Sequence, residues 1–213
     1  MTNIELNNVS VKLGDNLILD SVTLALPEGQ YQLTGKNGAG KSTFLQLLSG
    51  LITPSSGSLN VDDRADLVAD SIQIPDNMTI TTVFSLYDKY RRCDITQRNQ
   101  LIEAFQFSDC LTATVGKLSQ GNQQKLKLIL ALSGNGHWLL LDEPFNGLDS
   151  TSAATLNHIL AETNRPLIVI DHSEQLTNLR PRRKLRHIRP TVGRAFCATS
   201  TIALAPKAQA TRA

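Results

Sequence analysis

The chain has 213 residues, of which 41% are hydrophobic and 19% are charged, and its net charge is +2 at neutral pH. This length suits one domain, or one domain with a subdomain, and it is enough to bury a real core. No apolar run approaches the roughly 18 residues that a membrane-spanning helix needs, and the amino terminus lacks the pattern of a signal peptide. We therefore expect a cytoplasmic protein. Its scattered cysteines and histidines predict reduced thiols and no structural zinc site.

The charge is divided unevenly along the chain. All 19 acidic residues precede Arg180, whereas nine lysines and arginines lie from that residue to the end. This change in composition is the clearest boundary in the sequence. It separates a body, residues 1–179, from a basic tail, residues 180–213.

The predicted elements alternate between strands and helices. Short β-type segments begin the chain at 4–6, 9–13, 18–19 and 22–26, followed by a strand at 31–34 and a helix at 41–49. The later predicted elements are weak strands at 58–61 and 71–74, helices at 82–90, 96–105 and 123–132, a buried strand at 137–141, a helix at 152–162 and a strand at 167–170. This alternation predicts an α/β sheet with crossover connections. The all-helical stretch from 82 to 132 interrupts it and indicates an inserted helical subdomain.

The segment GKNGAGKST, residues 35–43, matches the pattern of a phosphate-binding loop. Its glycines allow successive N–H groups to approach phosphates closely, and the helix that follows points its positive end at the same place. We expect Lys41 to neutralise the β- and γ-phosphates and Ser42 to ligate Mg²⁺. The predicted nucleotide-binding residues are Gly35, Lys36, Asn37, Gly38, Ala39, Gly40, Lys41, Ser42 and Thr43. The loop alone does not show whether the protein is a kinase, a GTPase, a motor or a transporter ATPase.

A second group of candidate residues lies in HWLLLDEPFNGLD, residues 137–149, where an apolar strand ends in two acids. At the carboxyl end of a parallel strand, Asp142 and Glu143 face the same crevice as the phosphate loop. We expect Asp142 to hold Mg²⁺ through water and Glu143 to polarise the attacking water. Adjacent strand residues point in opposite directions, which suits these two separate roles. The alternative is a strand that ends in a solvated acidic turn.

The segment LSQGNQQK, residues 118–125, narrows the class of protein. By itself it is typical of a polar loop in which Ser119 caps the following helix. Placed between the phosphate loop and the acidic strand end, it resembles the signature motif of the ATPases of ABC transporters. In that family GKNGAGKST is similar to the Walker A motif and LLLDE to the Walker B motif.

Three further elements occur in the order that this resemblance requires, and together the resemblance covers residues 3 to about 178. Gln73 is placed like the Q-loop glutamine, which in the family contacts Mg²⁺ and senses the transmembrane partner. Asn146 and Asp149 belong to a segment that resembles the D-loop. His172 resembles the switch histidine.

The resemblance implies both a fold and a mechanism. The fold is α/β, a P-loop NTPase with a mainly parallel sheet, an N-terminal antiparallel β subdomain and an inserted helical subdomain at about 75–130. Two such domains, as a homodimer or a heterodimer with another ABC ATPase subunit, would sandwich two ATP molecules. Each ATP would contact the phosphate loop of one subunit and the signature residues of the other, which are Ser119, Gln120 and Gly121. The implied catalytic residues are Lys41, Glu143 and His172, and the implied Mg²⁺ site is formed by Ser42, Gln73 and Asp142.

The implied partner is a transmembrane permease subunit, on which the helical subdomain would dock at the inner face of the cell membrane. No specific nucleic acid is expected. A soluble ABC-type ATPase of DNA repair, chromosome maintenance or translation is the second hypothesis, but the coiled coils and zinc modules usual in such proteins are not recognised. A binding-only regulatory subunit is the third, and the intact motifs argue against it. A compact cassette favours export slightly.

The sequence departs from the family pattern in three places. Leu13 lies where the family usually has an aromatic residue that stacks on adenine, and Gln120 lies where glycine is commoner. The tail, residues 180–213, lacks the periodicity of the helix and short strands that normally close the fold. It is compatible with a disordered basic segment, with a truncated or frame-shifted terminus, or with an ordered but divergent end.

Overall fold

The first of two β-sheets is formed by the amino-terminal part of the chain. This computed structural model describes residues 4–61, 64–91, 93–172 and 176, and the backbone alone of residues 183–186. An antiparallel sheet is formed by strands β1 (Ile4–Leu13), β2 (Asn16–Leu26) and β4 (Ser56–Val61), in the order β2-β1-β4. The sequence predicted four short segments where the structure has two long strands. The register shifts along the β1–β2 pair let each strand continue through the interruptions of its apolar pattern. The predicted N-terminal antiparallel unit is confirmed.

The second sheet is parallel and carries the candidate site. Its strands are β3 (Gln30–Thr34), β5 (Ala65–Val68), β6 (Trp138–Asp142), β7 (Leu167–Ile170) and β8 (Arg183–Arg186), in the order β5-β6-β7-β3-β8. All four neighbouring pairs run parallel. Strands β6 and β7 are continuous apolar runs because both of their faces are covered, as parallel sheets require.

The α-helices of the described residues are α1 (Lys41–Leu48), α2 (Ile80–Arg91), α3 (Ile95–Ala104), α4 (Gln120–Ser133) and α5 (Ser150–Glu162). Side-chain caps fix the beginning of three of them, since Asp94, Ser119 and Asp149 each accept a backbone N–H from the first turn of α3, α4 and α5. Helices α2, α3 and α4 occupy the predicted helical stretch. The division of the chain into an ATPase domain with a helical subdomain and a tail stays a prediction.

The parallel sheet lies between two hydrophobic cores, and alternate residues of its strands face each of them. In β6, Leu139 and Leu141 pack with the helices α2 to α5, whereas Trp138 and Leu140 pack with α1 and the antiparallel sheet. Strand β7 repeats this alternation. Since both faces of the sheet are buried, polar chemistry is left to its two edges, the carboxyl edge and the amino edge, at which the strands end and begin.

One predicted strand is wrong, and two observed strands, β5 and β8, were not predicted. Residues 71–74 form a turn and an irregular segment, and the strand of this region is β5, at Ala65–Val68. Asp66 is buried within β5, and this acid interrupts the apolar pattern by which the strand could have been predicted. Its carboxylate is satisfied by the Arg165 side chain and the Gly136 N–H, which allows an acid in the interior of the sheet.

The carboxyl ends of neighbouring parallel strands meet at one edge of the sheet. The phosphate loop follows β3, Asp142 ends β6, and Asp171 and His172 follow β7, the strand between them. Among the helices that the structure describes, none is long and apolar enough to cross a membrane. The tail, residues 180–213, lies outside the described residues apart from β8, whose backbone pairs with β3.

Candidate nucleotide-binding site

The phosphate loop adopts a backbone that only glycine accommodates easily. Gly38 and Gly40 have φ angles of 77° and 81°, in the left-handed region. A Cβ atom on Gly40 would also lie 3.1 Å from the Leu19 side chain and 3.3 Å from the Ile18 carbonyl oxygen. The N–H of Phe44 donates to the Gly40 carbonyl at 2.8 Å, which begins helix α1 directly after the loop. The first N–H groups of α1 therefore point toward the loop, as an anion site requires.

The ammonium group of Lys41 lies within this loop. Its Nζ atom donates hydrogen bonds of 3.0 Å to the carbonyl oxygens of both Gly35 and Lys36, and the residue is only 8% exposed. These bonds hold a positive charge at the place where the loop and the helix N-terminus converge. The arrangement suits a phosphate group, which would replace the carbonyl oxygens as the partner of the ammonium.

The hydroxyl of Ser42 lies near the carboxylate of Asp142, at the point where the end of β6 approaches the start of α1. Burial raises the pKa of Asp142 above its ordinary value, although the Ser42 hydroxyl and the nearby Lys41 charge act in the opposite direction. A hydroxyl and a carboxylate oxygen at one point are ligands of the type that Mg²⁺ prefers. The residues present therefore fit the predicted metal.

Glu143 lies just beyond β6. The sequence analysis expected its side chain to diverge from that of Asp142 through the alternation of a strand, but the structure shows a different cause. The residue has a φ of 48°, in the left-handed region, so the chain turns sharply after Asp142 instead of continuing the alternation of the strand. Its N–H donates to the Ile170 carbonyl at 2.9 Å, and this bond holds the turn against β7. The two acids do diverge, but through backbone conformation, which costs about 1 to 2 kcal/mol for a non-glycine residue.

The carboxylate of Glu143 contacts His172, a pairing that the sequence analysis did not predict. The Oε2 atom accepts the His172 N–H at 3.3 Å, and Oε1 lies 3.5 Å from the imidazole Nε2. Burial raises the pKa of Glu143, and the His172 contacts oppose that effect. A carboxylate with a raised pKa is a stronger base than an exposed one and can accept a proton from water.

The signature residues begin helix α4. Ser119 accepts the Asn122 N–H at 3.2 Å and caps the helix, while Ser119 and Gln120 are exposed to solvent. Gly121 packs so tightly that a Cβ atom there would lie 2.6 Å from the Gly147 carbonyl oxygen. Gly147 follows Asn146 in the segment that resembles the D-loop, so the two motifs are in direct contact within the chain.

Two residues of α4 that the sequence analysis did not single out strengthen this contact. Gln124 donates from Nε2 to the Pro144 carbonyl at 3.0 Å, and Lys125 places Nζ 3.2 Å from the Asp149 carboxylate. They lie three and four residues after Gly121, so the helical repeat puts them on the side that faces the loop between β6 and α5. That repeat is the signal by which they could have been found, once Ser119 was known to cap the helix.

The two remaining predicted residues lie in exposed positions. Gln73 is exposed in the loop after β5, where it lines a cavity of about 350 Å³ together with Asp70, Asp76 and Lys127. Leu13, at the end of β1, is 45% exposed and presents an apolar side chain to solvent. Neither residue contacts Asp142, Glu143 or His172 through a hydrogen bond or ion pair among the described residues, so these two assignments stay predictions.

Comparison with known proteins identifies the family. Residues 19–146 match the family model described as ABC transporter. The lipoprotein-releasing system ATP-binding protein LolD of Leptospira interrogans is 27% identical over 194 residues, which cover 79% of this chain and 82% of that protein. The zinc import ATP-binding protein ZnuC of Yersinia enterocolitica is 31% identical over 171 residues, covering 78% and 67%.

The fold comparison agrees with the sequence comparison. A solved structure of an ATP-binding subunit of an ABC transporter superposes with a TM-score of 0.75 at 20% identity, and it covers 86% of this chain and 85% of that chain. This likeness confirms the predicted P-loop NTPase fold. With the match of the family model, it follows that this chain belongs to the ABC transporter family, as an ATP-binding subunit.

Proposed function

We propose that this chain hydrolyses ATP and drives transport through a separate transmembrane subunit by ATP-dependent dimerisation. The observation that carries the proposal is the pairing of residues at one sheet edge. Ser42 lies near Asp142, Glu143 contacts His172, and Lys41 occupies the adjoining phosphate loop. These are the parts that phosphoryl transfer to water needs, namely an anion site, a metal-ligand pair and a base.

In this proposal, ATP enters the phosphate loop and its phosphates replace the carbonyl partners of Lys41. The residues 35–43 would donate backbone N–H groups to the phosphate oxygens, and the positive end of α1 would add to their attraction. Leu13 would contact the adenine ring through its exposed apolar side chain. Stacking is absent for a leucine, so the selectivity for the base is expected to be weaker than with an aromatic residue.

Mg²⁺ would be held by Ser42 and Asp142, with Gln73 as the third predicted ligand. When bound, the ion would neutralise the negative charge of the phosphates. Glu143 would accept a proton from the attacking water, and its raised pKa suits that task near neutral pH. His172, which already touches the Glu143 carboxylate, would help to hold the water and the γ-phosphate.

The signature motif would act on the ATP of a second subunit. Ser119 and Gln120 are exposed at the beginning of α4, a helix of 14 residues whose positive end is free to face a γ-phosphate. Asn146 and Asp149 would lie at the same dimer interface, because their segment packs against Gly121. Hydrolysis would remove the γ-phosphate that joins the two subunits, and the dimer would open.

The membrane partner would be a permease subunit at the inner face of the cell membrane, on which the helical subdomain docks. The direction of transport stays a prediction, since the sequence favours export slightly whereas the relatives include both a lipoprotein-releasing and a zinc import protein. A second subunit of the same sequence and a different ABC ATPase subunit both satisfy the proposed interface.

The test is ATP-dependent dimerisation of the Glu143→Gln variant. The amide cannot accept the proton of the attacking water, so turnover should fall by about 100-fold or more while ATP binding persists. Size-exclusion chromatography with ATP and Mg²⁺ should then show a dimer of the variant and mostly monomer of the wild type, whose turnover is assayed in parallel.

Glu103→Gln is the matched control, because Glu103 is an exposed acid of α3 outside the site. This variant should turn over ATP like the wild type and should not be trapped as a dimer. A wild type that binds no ATP, or a Glu143→Gln variant that hydrolyses it at the wild-type rate, would contradict the proposed function. A variant that binds ATP but stays monomeric would contradict the homodimer and favour a heterodimer.

A further inference from the structure

Gln124 connects the helix of the signature motif to the loop of the acidic pair. It lies in the second turn of α4, is only 6% exposed, and donates from Nε2 to the Pro144 carbonyl at 3.0 Å. A buried amide that makes a bond of this length to a backbone carbonyl fixes both partners, since breaking the bond would leave a buried polar atom without a partner. Pro144 directly follows Glu143, so the fixed carbonyl lies one residue from the proposed base.

The backbone of Glu143 needs such support. Its φ of 48° lies in a region that a glutamate rarely adopts, and residues of this kind persist only where their surroundings hold them. On one side, the Glu143 N–H donates to the Ile170 carbonyl at 2.9 Å. On the other, the Glu143 carbonyl accepts the Asn146 N–H at 3.1 Å. The bond from Gln124 to Pro144 fixes the next peptide unit, and it is the support that comes from α4.

We propose that Gln124 is a positioning residue for ATP hydrolysis, which holds the Glu143 turn in its active geometry from the signature helix. The inference rests on the proposed role of Glu143 as the base. Gln124 is buried and bonded to the Pro144 carbonyl, so its role would not require contact with the nucleotide or the water. It acts on the direction of the Glu143 carboxylate, and small errors in the direction of a base have large effects on rate.

The same helix would then serve both ATP sites of a dimer. Its first turn carries Ser119 and Gly121, which are proposed to contact the partner's ATP, and its second turn holds the base of its own site through Gln124. Gly121 against Gly147 is a second rigid contact between α4 and this loop. A shift of α4 when the signature engages ATP would therefore shift the Glu143 turn, which couples the two sites through one helix.

The experiment replaces Gln124 by methionine, which keeps the length and volume of the side chain but cannot donate a hydrogen bond. Gln123→Met is the matched control. Gln123 is the neighbouring residue of α4, and its amide donates at 3.4 Å to the Val115 carbonyl, away from the Glu143 turn. Both variants are made in the full chain, and single-turnover hydrolysis is measured at saturating ATP and Mg²⁺. The affinity for nucleotide is measured with the fluorescent analogue TNP-ATP.

We expect Gln124→Met to slow hydrolysis by between about tenfold and a hundredfold, with nucleotide affinity within about twofold of the wild type. Gln123→Met should change neither quantity by more than about twofold. Loss of hydrolysis and affinity together, or an equal effect of the two substitutions, would show a merely structural role and would overturn the proposal.

A double-mutant cycle with Glu143→Gln tests whether Gln124 acts through Glu143. If it does, adding Gln124→Met to Glu143→Gln should change the residual rate by less than about twofold, since the group that it positions has gone. An undiminished effect in that background would overturn the positioning role. The Glu143→Gln variant alone separates the two proposals: a wild-type rate there refutes the proposed base, whereas a lost rate there with a normal Gln124→Met variant refutes only the role of Gln124.

Discussion

The two edges of the parallel sheet use the same residue types in opposite ways. At the carboxyl edge, Asp142 and Glu143 are partly buried beside Ser42 and His172, and burial raises the pKa of both acids. At the amino edge, Asp66 is 2% exposed, and its carboxylate is bonded by the Arg165 guanidinium at 2.7 Å and by the Gly136 N–H at 2.8 Å. One edge keeps its acids accessible, and the other uses an acid to join elements of the fold.

The bonding at the amino edge connects the parallel sheet to the helices on one of its faces. Arg165 also donates to the Ala131 carbonyl at the end of α4, and Tyr87 of α2 lies 3.3 Å from the Asp66 carboxylate. Burial and the nearby Asp66 charge raise the pKa of Tyr87, so the phenol stays protonated and can donate. Asp66 thereby joins the helical segment to the sheet. A carboxylate that is buried and bonded to these three partners is not accessible to a ligand, which is why stability and chemistry occur at different edges.

The largest effect is expected from Lys41→Ala at the carboxyl edge. The substitution removes the cation that faces the phosphates, and the loss of one such group in a preorganised site costs about 100-fold to 1,000-fold in rate. The free energy of unfolding should change little, since Lys41 contacts the carbonyls of a half-buried residue, Gly35, and an exposed one, Lys36, which water can reach. Steady-state ATP turnover and urea unfolding measure the two quantities, and a large loss of stability would mean that this edge also carries the fold.

The converse effect is expected from Asp66→Asn at the amino edge. Removing one charge from a buried ion pair leaves the Arg165 guanidinium without compensation, which costs about 3 to 5 kcal/mol of unfolding free energy. Turnover per folded molecule should be unchanged, because Asp66 lies at the edge opposite the site. Asp15→Asn, in the exposed hairpin turn between β1 and β2, is the control and should stay within about 0.5 kcal/mol in urea unfolding. Full stability combined with lost turnover would reverse the assignment of the two edges.

The site at the carboxyl edge was predictable because its motifs have a fixed spacing and follow strands with a clear pattern. The runs before Asp142 and before Asp171 are continuously apolar, and parallel strands bring their carboxyl ends together. The turn at Glu143 was not predictable, since nothing in Asp-Glu-Pro requires a left-handed residue there. Its bond to Ile170 arises only when β7 lies beside β6.

The sequence analysis did not predict the strand β5 or the bonds of Asp66 at the amino edge. Asp66 interrupts a four-residue strand, and its partners Gly136 and Arg165 are 70 and 99 residues away along the chain. A pattern of local residues cannot report a pairing at that distance, so β5 was missed and a strand was placed at 71–74. Strand β8 was not predicted for a related reason: RKLR has no apolar alternation, and its place beside β3 is a property of the sheet.

Asp149 is an intermediate case in the comparison of the two edges. It lies at the carboxyl edge, but its carboxylate is bonded in the way of a structural residue. Its carboxylate accepts the Ser152 N–H at 2.8 Å and lies 3.2 Å from Lys125 Nζ. The hydrogen bond from Ser152 and the Lys125 charge lower the pKa of Asp149 from 3.8 to about 2, the reverse of Asp142 and Glu143. Asp149 therefore supports the loop through these contacts, whereas the proposed function assigns the chemistry to Asp142 and Glu143.

The smallest effect is therefore expected from Asp149→Asn, measured as a change in stability with pH. Asparagine still caps α5, but the charge opposite Lys125 is lost, and because the carboxylate is 58% exposed the cost at pH 7 should be only about 0.5 to 1 kcal/mol. An acid whose pKa falls on folding stabilises the protein above its unfolded pKa and loses that contribution as pH falls through the folded value. The difference between wild type and variant in urea unfolding should thus be constant from pH 7 to 5 and shrink from about pH 4 toward 2. A difference that stays constant or widens in acid would assign the stabilisation to something other than the charge of Asp149, and the distinction between supporting and reacting acids at this edge would fail.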